Sequence, residues 1–173
     1  MEFQPQNPIK VANFIIELAK KNKKNVTNLQ LQKILFFLQG YSLSHFRTPL
    51  IDGKFSKWKY GPVQQEVYHL FRSYGSSPIV DEAIDAFYDH GKLVIQPYSK
   101  VDEKSIGSEE IFNQISNFAY KLLNKSAWEL VNMTHSHSSW SKNYESIINH
   151  CAEDYKQEEI LNCYESNKGS LND

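Results

Sequence analysis

From Pro8 onward, apolar residues recur at three- and four-residue spacing. Val11, Ala12, Phe14, Ile15, Leu18 and Ala19 fall on one side of a helix. Lys20, Lys21, Lys23 and Lys24 follow, where cations complement the carbonyl end of the helix dipole, and residues 22–25 read as a loop. Thr27 caps the next helix, and Gln30, three residues on, completes a capping-box pattern. That helix, about residues 28–45, carries two apolar stripes. Leu31, Ile34, Leu35, Leu38 and Tyr41 form one; Leu29, Phe36 and Leu43, beside Gly40, form the other. Two stripes require packed neighbours on both sides, so the pattern predicts a central helix. Gly40 within it predicts close approach of another backbone.

A turn-rich link containing Asp52-Gly53 comes next. Residues 56–60 alternate, with Trp58 and Tyr60 on one side and Lys57 and Lys59 on the other, a pattern suited to a short strand. Gly61, Pro62 and Val63 read as a helix start, with proline at the first helical position. Val63, Val67, Leu70, Phe71 and Tyr74 supply its stripe, and Gly75 ends it. Residues 81–89 suggest a short helix with Ile84, Phe87 and Tyr88 inward, residues 92–96 a strand, and residues 97–107 a polar loop.

The helical signal then recovers. Ser108 caps a helix whose core face is Ile111, Ile115, Phe118, Ala119 and Leu122. Ser126 with Glu129 forms a second capping box before Leu130 and Val131. A polar break at residues 134–139 precedes a stripe of Trp140, Tyr144, Ile147, Ile148 and Cys151. Residues 157–164 suit a last short helix, and residues 167–173 a disordered tail. The expected architecture is one mostly α, multi-helix domain over residues 5–166, with a short two-stranded β element.

Composition changes this picture little. The chain has 173 residues, 40% hydrophobic and 23% charged, a globular profile long enough for a core without staples. Its longest apolar run, residues 34–38, is far too short to span a bilayer. The first residues, Met1 to Gln4, lack the basic cluster and apolar stretch of a secretory leader. Two cysteines make no disulfide framework, which points to a cytoplasmic protein. A net charge of −1 gives no field for phosphate backbones, so direct nucleic-acid binding is not expected.

Candidate chemistry is sparse. His135 and His137 are the best metal candidates, with Cys151, Asp154 and Cys163 downstream, but no second half-site has ligand spacing. The reading is no metal and no cofactor. Cys151 falls on the apolar stripe, where a buried, inert thiol is expected. No nucleotide-binding, zinc-protease or nucleophile-elbow motif occurs, and the expectation is a protein without catalytic activity.

One pattern is specific. The run Thr27-Asn-Leu-Gln-Leu-Gln-Lys-Ile-Leu-Phe-Phe-Leu-Gln-Gly-Tyr41, the pair Pro49-Leu50, the junction Trp58-Lys-Tyr-Gly-Pro-Val63 and the late Thr134-His135 with Trp140 resemble the Panacea domain. This family comprises SocA-like antitoxins and phage-associated GepA-type proteins. The resemblance runs from about Ile9 to Trp140, and residues 78–107 match no motif. It implies the antitoxin of a type II toxin–antitoxin module, which neutralises a toxin encoded by an adjacent gene through direct binding. One family branch delivers its toxin to a Clp-type protease. The alternative is a phage- or mobile-element-encoded protein that binds a host factor without a cognate toxin.

The motif residues divide into two sets. Thr27, Gln30, Gly40, Tyr41, Gly61, Pro62, Val63 and Trp140 read as structural. Lys33, Lys57, Trp58, Lys59, Tyr60, Thr134 and His135 are the candidate partner-binding set. Within it, Trp58 either pins the central helix or meets a partner. Lys33, on a helix covered on two sides, either escapes along its own stem or pairs with a carboxylate, and a structural ion pair is preferred to a binding role. Thr134 and His135 either close a helix or offer polar contacts.

Overall fold

The computed structural model describes residues 3–171. Helix α1 (Pro8–Lys21) starts on Asn7, whose side chain accepts from the Ile9 amide. Helix α2 (Asn28–Phe46) starts on Thr27, whose hydroxyl accepts from the Gln30 amide at 3.2 Å. The reciprocal half of the expected capping box is absent. The Gln30 side chain instead donates to the Lys125 carbonyl at 2.7 Å, tying α2 to a loop far along the chain.

Every residue of α2 from Gln30 to Ser42 is buried, as two stripes require. One side meets α5 (Glu109–Leu123) and α6 (Ala127–Ser136), and another meets α9 (Gln157–Leu171). Gly40 makes the α9 contact possible. A Cβ there would overlap the Cβ of Tyr164 and lie 3.2 Å from the Ile160 carbonyl oxygen. Phe36 fills the same side, edge-on to Phe55 and Tyr155. Tyr41 stacks on Phe118 at 4.4 Å on the other.

Helix α9 runs to Leu171, which is fully buried. Residues 167–171, expected as tail, are therefore helix, and Leu171 joins the core. Their single apolar anchor among polar neighbours hides the pattern. Asn172 and Asp173 lie outside the described residues, as do Met1 and Glu2.

The first sheet pairs β1 (Ser56–Trp58) with β2 (Gly61–Val63) in antiparallel register, Trp58 opposite Gly61. The expected short β element is present, but Gly61, Pro62 and Val63 complete it rather than starting a helix. Gly61 has φ 91°, outside helical space. Helix α3 (Gln65–Phe71) begins later, capped by the Gln64 side chain, and a 3-10 turn (Arg72–Tyr74) carries it to Gly75.

The second sheet corrects the reading of residues 81–89. Strand β3 (Ile84–Asp89) pairs with β4 (Lys92–Pro97) through a turn at His90 and Gly91, both at positive φ. Ile84, Phe87 and Tyr88 do stand at helical spacing, but Ile84, Ala86 and Tyr88 also alternate, and pairing with residues 92–97 selects the strand. Ile84, Phe87 and Tyr88 are exposed, not inward. The hairpin's base is pinned to α1 by Asn13, which is fully buried. Its Oδ1 accepts from the Ala83 amide at 2.8 Å, and its Nδ2 donates to the Ala83 and Tyr98 carbonyls.

Helix α4 (Glu103–Ile106) interrupts what reads as a polar loop, closed by a local capping box between Asp102 and Ser105. The expected box at Ser126 and Glu129 opens α6. The Trp140–Cys151 stripe breaks into α7 (Ser138–Ser141) and α8 (Tyr144–Ile148), of which only Ile147 points into the core. Cys151 is exposed, because the chain reverses at His150 (φ 56°). Among the described residues no helix is long and apolar enough to cross a membrane.

Candidate partner-binding site

The motif residues come from four separate stretches of chain, and the fold gathers most of them into one knot beside α2. Lys33, fully buried on α2, donates from Nζ to the Pro62 carbonyl at 2.8 Å. No carboxylate pairs with it among the described residues, so the expected ion pair is replaced by a single carbonyl contact. Removal from water disfavours the ammonium and lowers its pKa from 10.5 to about 7.

Gly61 covers this lysine. A Cβ on Gly61 would lie 2.6 Å from Thr134 Oγ1 and 2.9 Å from Lys33 Cε. With φ in the left-handed half of the map, that position admits no other residue without strain. Thr134 is buried, and its hydroxyl donates to the Val131 carbonyl at 2.8 Å. It neither caps another helix nor reaches the surface.

His135 stacks on Trp140, with ring centroids 3.6 Å apart and planes 17° from parallel. Among the described residues its Nε2 is buried without a hydrogen-bond partner. Burial first, and then the nearby Lys33 charge, hold His135 below its ordinary pKa, against an opposing contribution from the Lys59 backbone. Trp140 in turn donates from Nε1 to the Trp58 carbonyl at 3.0 Å. The indole thus ties α7 to β1.

The candidate set divides by access. Lys33 and Thr134 are sealed inside the knot. The Lys57 side chain is only 4% exposed. It pairs with Glu159 at 2.9 Å and lies over the Tyr155 ring, fastening β1 to α9. Trp58 is half-buried, edge-on to Tyr68 at 4.9 Å. Lys59 and Tyr60, in the turn between β1 and β2, face solvent.

A residue that the sequence pattern did not single out joins them. Trp128, 57% exposed on α6, packs edge-on against Tyr60 at 5.7 Å. Its signal is its phase: Trp128 sits about 200° around the helix from the core residue Leu130. The Trp58–Tyr60 ridge separates two clefts. One, about 380 Å³, opens toward Leu29, Tyr68 and Arg72. The other, about 550 Å³, lies against Ile147, Ile148, His150 and Asp154.

His135 and His137 are engaged by different neighbours. His135 is under Trp140, while His137 Nδ1 contacts the Ser139 hydroxyl at 2.7 Å. No group of three or more His, Cys, Asp or Glu residues is placed to hold a metal among the described residues. Cys163 is buried against α2, and desolvation pushes its thiol up to about 12, away from nucleophilic chemistry.

The knot spans the stretch that a known family covers. Residues 31–141 match the family described as Antitoxin SocA-like, Panacea domain. The chain belongs to that family. Its Panacea segment contains the Lys33–Gly61–Thr134 knot, the ridge and Trp128, while α1 and α9 lie outside it. Antitoxin SocA of Caulobacter vibrioides (strain NA1000 / CB15N) is 39% identical over 74 residues. That segment is 43% of this chain and 39% of the Caulobacter protein, so the likeness spans about two-fifths of each. No solved structure matches significantly.

Proposed function

We propose that this Panacea protein is the antitoxin of a two-gene type II module, and that it neutralises a protein toxin from the adjacent gene by direct binding at the Lys59–Tyr60–Trp128 corner. Membership of a family named for an antitoxin carries the role. One observation supports the surface: two large aromatics, Tyr60 and Trp128, both within the family's segment, are held together in solvent. Exposed tryptophan and tyrosine beside clefts are the residue types that anchor protein interfaces. The buried motif residues beneath hold the ridge at a fixed height, so they serve binding by positioning it. No catalytic step is needed, and the working compartment is the cytoplasm, where an exposed thiol such as Cys151 stays reduced.

The test is co-expression with each adjacent gene product. The expected result is growth arrest by one product alone, rescue by this chain, and co-purification of the two. Tyr60→Ala with Trp128→Ala should abolish rescue while leaving the thermal midpoint unchanged, since both side chains are exposed. Loss of toxin protein only in cells holding a Clp-type protease would assign delivery to that protease; stable toxin in a stoichiometric complex would assign occlusion. If no adjacent product is toxic, the antitoxin reading fails, and a host factor recovered specifically through the same aromatic corner takes its place.

A further inference from the structure

The β3–β4 hairpin is an arm whose two faces differ. Register pairs Ile84 with Pro97, Ala86 with Ile95 and Tyr88 with Leu93. Because side chains alternate across a strand, these six share one face, and all six are apolar or aromatic. All are exposed, with Ile84, Tyr88, Leu93 and Ile95 between 55% and 76% open to solvent. The other face carries Asp85, Gln96, Asp89 and Lys92 around one apolar pair, Phe87 and Val94.

An isolated two-stranded hairpin is marginal in water and needs a further layer over its apolar face. Here the base is held rigidly by Asn13, so the face is presented in a fixed orientation. Its open apolar area is on the order of 500 Å², as large as the biggest patch on an ordinary monomer. Toward the base, Ile84 and Pro97 also line a groove with Leu70, Phe71 and Tyr74, which extends the patch.

We infer that this face is covered by the same face of a second copy of the chain, forming a two-fold dimer through the hairpins. The face carries no charge to select a charged partner, and it is complementary to itself. Two copies would bury on the order of 1,000 Å², the lower bound for a specific interface. A second copy is also present whenever the chain is, whereas a toxin is not. An apolar arm left open between encounters would invite aggregation. The inference does not depend on the toxin reading: it concerns a different surface from the Tyr60–Trp128 corner.

The test is sedimentation or light scattering of the purified full chain from roughly 5 to 100 µM. The expected mass is twice the 20.1 kDa of one chain. Ile95→Glu, at the centre of the face, and Leu93→Lys, at its turn end, should return it to the single-chain mass with an unchanged far-ultraviolet spectrum. Should either variant fail to fold, Ala86→Cys in a Cys151→Ser background gives a second reading, because a short bis-maleimide should then link two chains. A wild-type chain of single mass throughout the range overturns the dimer. So does a dimer that survives both charge variants, or one that the Ala86→Cys thiol cannot cross-link.

Discussion

Replacing Lys33 by methionine should flatten the dependence of stability on pH between 7 and 9. The ordinary lysine value of 10.5 applies to the unfolded chain, while burial lowers the folded value to about 7. Between those values the unfolded chain binds a proton that the folded chain has released. Stability therefore rises with pH across the interval, by at most about 1.4 kcal/mol per unit and about 5 kcal/mol in all. Below pH 7 the buried ammonium is charged in both states and the contribution is flat at its least favourable level. Other groups confine the useful window. His135 and His137, both lowered mainly by burial, add a rise below pH 6.5. The Cys163 thiol, 9.0 in the unfolded chain and about 12 when buried, removes stability above pH 9, and the buried Tyr155 phenol acts in the same sense higher still. Urea unfolding at pH 7, 8 and 9 should give a wild-type increase of about 2–3 kcal/mol. Lys33→Met should stay nearly level. The variant also leaves the Pro62 carbonyl without its donor, a loss of about 1–3 kcal/mol, so the two proteins should be closest at pH 7 and diverge as pH rises. Equal slopes for both would refute a buried, depressed Lys33 outright.

Other outcomes follow from single contacts. Gly61→Ala combines left-handed strain with overlap on Thr134 and Lys33 and should lower stability by about 3 kcal/mol or more. Gly107→Ala, in the left-handed α region but with open space around it, should lose only about 1 kcal/mol in a thermal melt. Asn13→Ala removes three hydrogen bonds at the hairpin base, so β3 and β4 amides should exchange faster with deuterium while α5 amides keep their protection. Thr27→Ala should destabilise by about 1 kcal/mol through loss of the cap. Gln30→Ala should instead loosen the 125–126 loop, seen as faster exchange there, because its side chain is bonded to Lys125.

Helices of strong period were legible because one apolar face has one meaning: α1, α5 and the doubly striped α2 follow directly from spacing. The errors cluster where tertiary context overrides local preference. Pro62 suits a helix start, yet pairing with Lys57 claims it for a strand, and Gly61 is there to fit over Lys33 and Thr134. Residues 84–89 carry alternating apolar side chains that normally face inward; on an arm with no layer above them they face out, and periodicity alone does not report which side has a partner. Of the candidate site, the motif residues were legible as a set, but their division was not. Lys57 and Lys59 look equivalent in sequence, and only the position of Glu159, about a hundred residues later, draws one inside. Trp128 escaped notice because a lone aromatic on a helix's polar face breaks no rule of spacing.

The stacking of His135 on Trp140 has an optical consequence. A protonated imidazole against an indole quenches its emission by taking up charge from the excited state, whereas a neutral ring does so far less. With ring centres 3.6 Å apart, the pair is a built-in fluorophore and quencher. Its brightness should climb as the imidazole loses its proton, at a pH below the ordinary histidine value. Since the same indole hangs from the Trp58 carbonyl under the aromatic ridge, light emitted at Trp140 reads the state of the knot on which a bound partner would press.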